Sequence, residues 1–256
     1  MNNDLKLRRI VFKTSGVLLL IAAWQIFAAS FAKKGMEMLL ASPFQVIKRL
    51  FSLIFEPDFL RVVAGSSYRI FIGFIVAFVI GIILGSLAGE FDFIEDLLWP
   101  AVATVKAVPV AAFVVILFIW YNTEIIPILT FFIAFPVIYG NVLQGVKSAD
   151  GNLVEVSEIY RISYLKRIVF IKTPAVSNYL ISSSSTAIGM AWKAGVAAEL
   201  IIQINGSIGE KIYTSKVNFL NEDLLAWTLV TIIVSIIFEK VFVLLLKLFF
   251  ARFYKI

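Results

Sequence analysis

An apolar run long enough to cross a bilayer restricts folding more than any other sequence feature, and this chain holds six such runs. They cover about residues 14–32, 64–88, 101–120, 125–142, 177–202 and 224–246. In hydrocarbon each segment must satisfy its own backbone N–H and C=O groups, so runs of this length predict helices. With 61% hydrophobic residues and a mean hydropathy of +0.95, too little polar surface remains to clothe a soluble domain of 256 residues. The expected fold is an all-α polytopic membrane protein, one membrane domain over residues 1–256 with six transmembrane helices.

The first run follows Lys6, Arg8, Arg9 and Lys13 and ends before Lys33 and Lys34. Ala28-Ala29-Ser30 could pass for a signal cleavage site, but the run exceeds the roughly 7–15 apolar residues of a signal core and reads as a retained span. With the N-terminus inside, the inner segments hold twelve Lys and Arg and the outer segments seven. The positive-inside rule then places both termini in the cytoplasm of a multi-pass protein of the cell membrane. The same placement explains the net charge of +6. The basic residues flank apolar spans, so their counterpart is membrane lipid rather than nucleic acid. The chain has no Cys and no His, which removes thiol, disulfide and imidazole chemistry. It also lacks a GxxxxGK[ST] phosphate loop. It reads as a transport subunit rather than an enzyme, with no cofactor and no metal site.

Between the first two runs, Ser42 is a plausible N-cap and Pro43 suits the first position of a short amphipathic helix along the outer interface. Gly81, Gly85 and Gly89 fall four apart on one face, which favours close packing within the chain over a subunit contact. The third run opens with Pro100, and Pro109 should bend it. Lys106 lies near its inner end, as a pathway residue or one that snorkels outward.

The fifth run is the polar one. At about 100° per residue, Asn178, Ser182, Thr186, Gly189 and Lys193 share a narrow stripe. A charge in mid-membrane must face protein or water, so Lys193 and this stripe are candidates for a solute pathway, with interhelical glue as the other reading. Glu199 is a further candidate; it stands about 120° around the helix from Lys193, a poor angle for a direct pair.

Residues 151–174 form a charged island carrying Glu155, Glu158, Arg161, Lys166, Arg167 and Lys172, with apolar residues kept at helical intervals. It is long enough for two short amphipathic helices that dock onto a cytosolic surface.

Four motifs in order carry a family resemblance. Glu155-Val156-Ser157 stands at the Glu-Ala-Ala of the loop found in ABC importer permeases, with Thr173-Pro174 at the spacing of its closing Leu-Pro. Arg161 stands at the loop's glycine, so the turn there needs φ below zero or carries strain. Leu117 to Tyr121 resembles the family's LILWFG stretch, with Asn122 at its glycine. Gly189 to Glu199 is similar to its GLAW…VAAE segment, and Gly206 to Gly209 to its SGLG turn. From about Ala41 onward the chain resembles permeases of the nitrate, sulfonate and taurine group of binding-protein-dependent ABC importers. The resemblance implies a type I importer permease bundle that works as a homodimer. It also implies two cytosolic ABC ATPase subunits, which supply ATP hydrolysis, and an extracytoplasmic substrate-binding protein. The loop at about 147–174, with Glu155, Val156, Ser157, Arg161 and Pro174, would couple the ATPase to import of a small anionic solute by alternating access. The alternatives are an ion-gradient-driven secondary transporter and an importer of a neutral or cationic vitamin precursor.

Overall fold

The computed structural model describes residues 2–34, 40–121 and 125–254, and among them every regular element is helical. Asn122 and Lys255 lie outside the described residues. In chain order the elements begin with α1 (Asn2–Lys33), α2 (Pro43–Ile54), α3 (Phe59–Glu90), α4 (Asp92–Ala107), α5 (Val110–Tyr121) and α6 (Ile125–Lys147). There follow α7 (Gly151–Ile159), α8 (Tyr164–Arg167), a π turn (Ile168–Lys172), α9 (Thr173–Ile202), α10 (Ile208–Val217) and α11 (Asn221–Tyr254). Segments of α1, α3, α6, the π turn with α9, and α11 are long and apolar enough to cross a membrane. Taken as a pair, α4 and α5 are also long and apolar enough, but they are bent by 101° at their break, the geometry of a broken span or a re-entrant loop.

The bend expected at Pro109 is present, while the helix before it starts earlier than the predicted opening at Pro100: α4 begins at Asp92 and Pro100 lies inside it. The break falls at Pro109. A residue before proline is forced out of the helical region, and Val108 is extended at ψ 126°. Proline also has no N–H for the turn behind it. The helix of the fifth span likewise begins before residue 177, at Ile168 in the π turn.

The chain divides into two compact units. Residues 1–61 and 210–230 form the first. In it Ser42 and Gln45 close a capping box on α2, and Pro43 occupies the first turn. This satisfies two otherwise orphaned N–H groups and fixes where α2 begins. Its Phe44, Ile47, Phe51 and Ile54 are exposed. Arg49 pairs with Asp223 and with Glu56 (2.9 Å), and the hydrogen bond to Asp223 raises the pKa of its guanidinium. Trp24 donates to Ala41 O at 3.1 Å, and the Phe59 ring stacks on Trp227.

Residues 62–209 and 231–256 form the second unit, which carries the functional residues. Its core is the packing of α6 on α9, and α3 lies against α6 along a row of glycines. A Cβ built on Gly81, Gly85 or Gly89 would come within 2.8 Å of Ile138, 2.8 Å of Tyr139 O and 2.6 Å of Val146. The glycine row therefore seats α6 inside the chain, as intramolecular packing requires. Phe71, Phe74 and Phe78 meet Phe238 and Phe242 of α11 edge-on, a preferred aromatic geometry. At one end Lys172 pairs with Glu90, and Lys147 with Glu95 and with Asp92 (3.4 Å). These pairs fasten α3, α4, α6 and the π turn at the end that carries α7.

Candidate docking loop, pathway face and buried clasp

Asp150 caps α7, its carboxylate accepting from Asn152 N–H at 2.9 Å. The helix ends in a Schellman motif: Arg161 N–H donates to Glu158 O and Ile162 N–H to Ser157 O, both at 2.9 Å. This motif puts the residue after the cap in the left-handed region, a place glycine fills without strain. Arg161 occupies it at φ +51°, at a cost of about 1–2 kcal/mol. Of the loop residues singled out in the sequence, Glu155 and Val156 are exposed. Ser157 is buried, its hydroxyl donating to Val154 O at 2.6 Å. Leu153, Val156 and Tyr160, spaced to share one face, are all exposed and form the apolar surface of α7.

The second helix of the island is only the single turn α8, which continues through the π turn into α9. Pro174, in the first turn of α9, explains the widening. Its ring would clash with the carbonyl four residues back, and it donates no hydrogen bond. The π turn relieves both, with Thr173 N–H and the Thr173 hydroxyl (2.9 Å) donating to Ile168 O.

On α9 the predicted stripe is an uncovered face. Asn178, Ser182, Thr186 and Lys193 are exposed and Gly189 half-buried. The opposite face, with Ser184, Ala187, Ile188, Ala191 and Trp192, is buried. Lys106 is also exposed and lines two cavities. One, of about 330 Å³, lies under the α4–α5 bend between Phe113, Phe132, Pro136 and Met190 of the α9 face. The other, of about 600 Å³, reaches Glu95, Trp99, Asn141 and Gln144. Lys106 therefore lines both cavities, whereas α9 reaches them only through Met190, and Lys193 lines neither.

Glu199 is placed apart from that face. It is fully buried, and its carboxylate accepts from Ser66 Oγ (2.7 Å), Arg69 Nη2 (2.7 Å), Arg69 Nε (3.1 Å) and Gly209 N–H (3.3 Å). Ser66 Oγ in turn accepts from Ile208 N–H at 3.0 Å. The carboxylate and hydroxyl therefore satisfy the first N–H groups of α10, where a negative charge is favoured. Gly209 is obligatory here, since a Cβ would lie 2.3 Å from Leu200 N. The arrangement is a clasp binding the far end of α9 to α3 and to the Gly206–Gly209 turn.

Two residues escaped the sequence reading. Arg69 stands inside the second span, and Glu239 inside the sixth, where Ser185 Oγ donates to it. In both cases the signal was available: an ionisable residue within an apolar run implies a partner.

Residues 77–255 match the model of a protein family described as the binding-protein-dependent transport system inner membrane component. The chain is 28% identical over 214 residues to the nitrate import permease protein NrtB of Synechocystis sp., covering 78% of this chain and 74% of that protein. It is 26% identical over 237 residues to the bicarbonate transport system permease protein CmpB of Synechococcus elongatus, covering 86% and 83%.

Proposed function

Because the chain belongs to the family of binding-protein-dependent transport system inner membrane components, we propose that it is the translocating subunit of an ATP-driven importer of a small anion. One observation carries the anion reading: the exposed face of α9 is polar and bears Lys193, with Lys106 at the cavities beside it. A charge within a span faces water or protein, and a fixed positive charge lowers the barrier to a passing anion. The names of the two relatives, a nitrate and a bicarbonate permease, support the same solute class.

The protein works as a homodimer in the cell membrane, both termini cytoplasmic, with the two α9 faces lining a shared path. Two ATPase subunits dock on the loop through the exposed apolar face of α7, and a substrate-binding protein delivers the solute from outside. ATP-driven closure of the ATPases moves the loops and switches access. The carboxylates within spans already have partners, Arg69 for Glu199 and Ser185 for Glu239, which favours ATP over an ion gradient. Vesicles holding the assembled complex test the reading. Lys193→Met should lower uptake of nitrate or bicarbonate at least severalfold while the complex still assembles. Full uptake by that variant removes Lys193 from the pathway, and uptake driven by a proton or sodium gradient without ATP overturns the reading.

A further inference from the structure

Beside the apolar face of α7 lies a second, chemically different surface. The chain folds back between α7 and α8 around a cleft of about 610 Å³, lined by Tyr160, Arg161, Ser163, Lys166, Arg167 and Phe170. Its charge is unbalanced. Arg161 and Lys166 are exposed and form no ion pair among the described residues. Arg167 donates Nη1 to Glu158 at 2.6 Å, yet its Nε is buried without an acceptor. Buried donors almost always have partners, so an orphan in a cleft marks a place where an acceptor is missing.

Arg161 adds an independent sign. At φ +51° it holds the left-handed turn that glycine would make without strain. Strain retained at one position is a pointer to function there. What arginine offers in exchange is a planar fork of donors suited to a carboxylate, here at the mouth of the cleft. The ring of Tyr164, 5.8 Å beneath the Arg167 guanidinium, keeps that second fork in place.

We propose that this cleft receives an acidic side chain of the ATPase subunit, with Arg161, Lys166 and Arg167 as its partners. The apolar face of α7 would supply area, and the cleft would choose the partner by charge. This rests on the docking reading above. An aspartate or glutamate fits the observations better than a lipid phosphate does, because the cleft opens on the same loop that the ATPase must cover.

The test titrates the chain, in nanodiscs of neutral lipid, with the ATPase that copurifies with it. Arg161→Glu with Lys166→Glu should weaken association about tenfold or more and flatten its dependence on salt. Arg161→Gly relieves the backbone, folds at least as well, and should still weaken association severalfold. Reversing one acidic residue on the ATPase docking surface should restore binding to the Arg161→Glu/Lys166→Glu variant. Val156→Asp separates this proposal from the docking reading. If Val156→Asp abolishes association while the charge reversals leave affinity and salt dependence unchanged, the cleft proposal falls and docking stands. If Val156→Asp has no effect either, the docking reading falls and the proposal with it. A defect that appears only in discs of anionic lipid assigns the cleft to lipid headgroups and overturns the proposal.

Discussion

Glu199 shows how far a single residue can be read before its partners are known. Spacing on one helix argued against a pair with Lys193 but could not find Arg69, 130 residues away. The fully buried carboxylate and its guanidinium now predict a strong asymmetry. Arg69→Met leaves a buried charge unpaired and should cost about 3–5 kcal/mol of stability. Arg69→Met with Glu199→Leu should recover most of that loss. Thermal unfolding in mild detergent measures both, and equal melting of Arg69→Met and the parent chain would dismiss the clasp. Arg161→Gly should move the opposite way, stabilising the loop by about 1 kcal/mol, the left-handed strain at φ +51° less glycine's greater loss of backbone entropy. Denaturant unfolding followed by a fluorophore on α7 reads that change.

Helix pairing supplies the next scale. The glycine row on α3 was legible as a close-packing face because period 4 on a helix is a geometric fact. Which helix it meets was not legible, since any apolar neighbour satisfies the pattern. With Tyr139 O only 2.8 Å from the site of a Cβ on Gly85, Gly85→Leu should separate α3 from α6. The expected result is loss of the folded monomer on detergent gel filtration; a normal elution profile would show that α6 can yield. The α4–α5 bend belongs to this scale too. Proline at 109 announced a bend, while its 101° size was not legible in the sequence. Pro109→Ala restores a backbone donor and frees Val108 to turn helical, so uptake should fall as the cavity beneath the bend closes. Unchanged uptake would relieve the bend of any role in the path.

For the whole molecule, the uncovered surfaces matter most. Within the apolar windows of α1 and α11 only 6% of each is buried, which suits helices facing lipid or a second copy. The α9 face is uncovered and polar, so lipid tails do not suit it. A symmetric dimer would bring two such faces together around an aqueous path. Native mass measurement of the copurified complex should therefore find two copies of this chain; one copy, or an obligatory second permease, would refute the dimer.

The sequence by itself determined that the chain crosses a membrane, that its elements are helices, where most of them lie, and that one polar stripe runs along the fifth span. These follow from local rules: hydrocarbon leaves no alternative to helical backbone bonding, and a face is fixed by spacing along one helix. Tertiary structure decided which of the singled-out residues stand together. It put Glu199 in a clasp and Lys193 on the open face, although both belong to one helix and one motif. It also buried Ser157 beside the exposed Val156. Those outcomes depend on partners distant in the chain, such as Ser66, Arg69 and Gly209, and no period along a single helix encodes which distant residue will arrive opposite it.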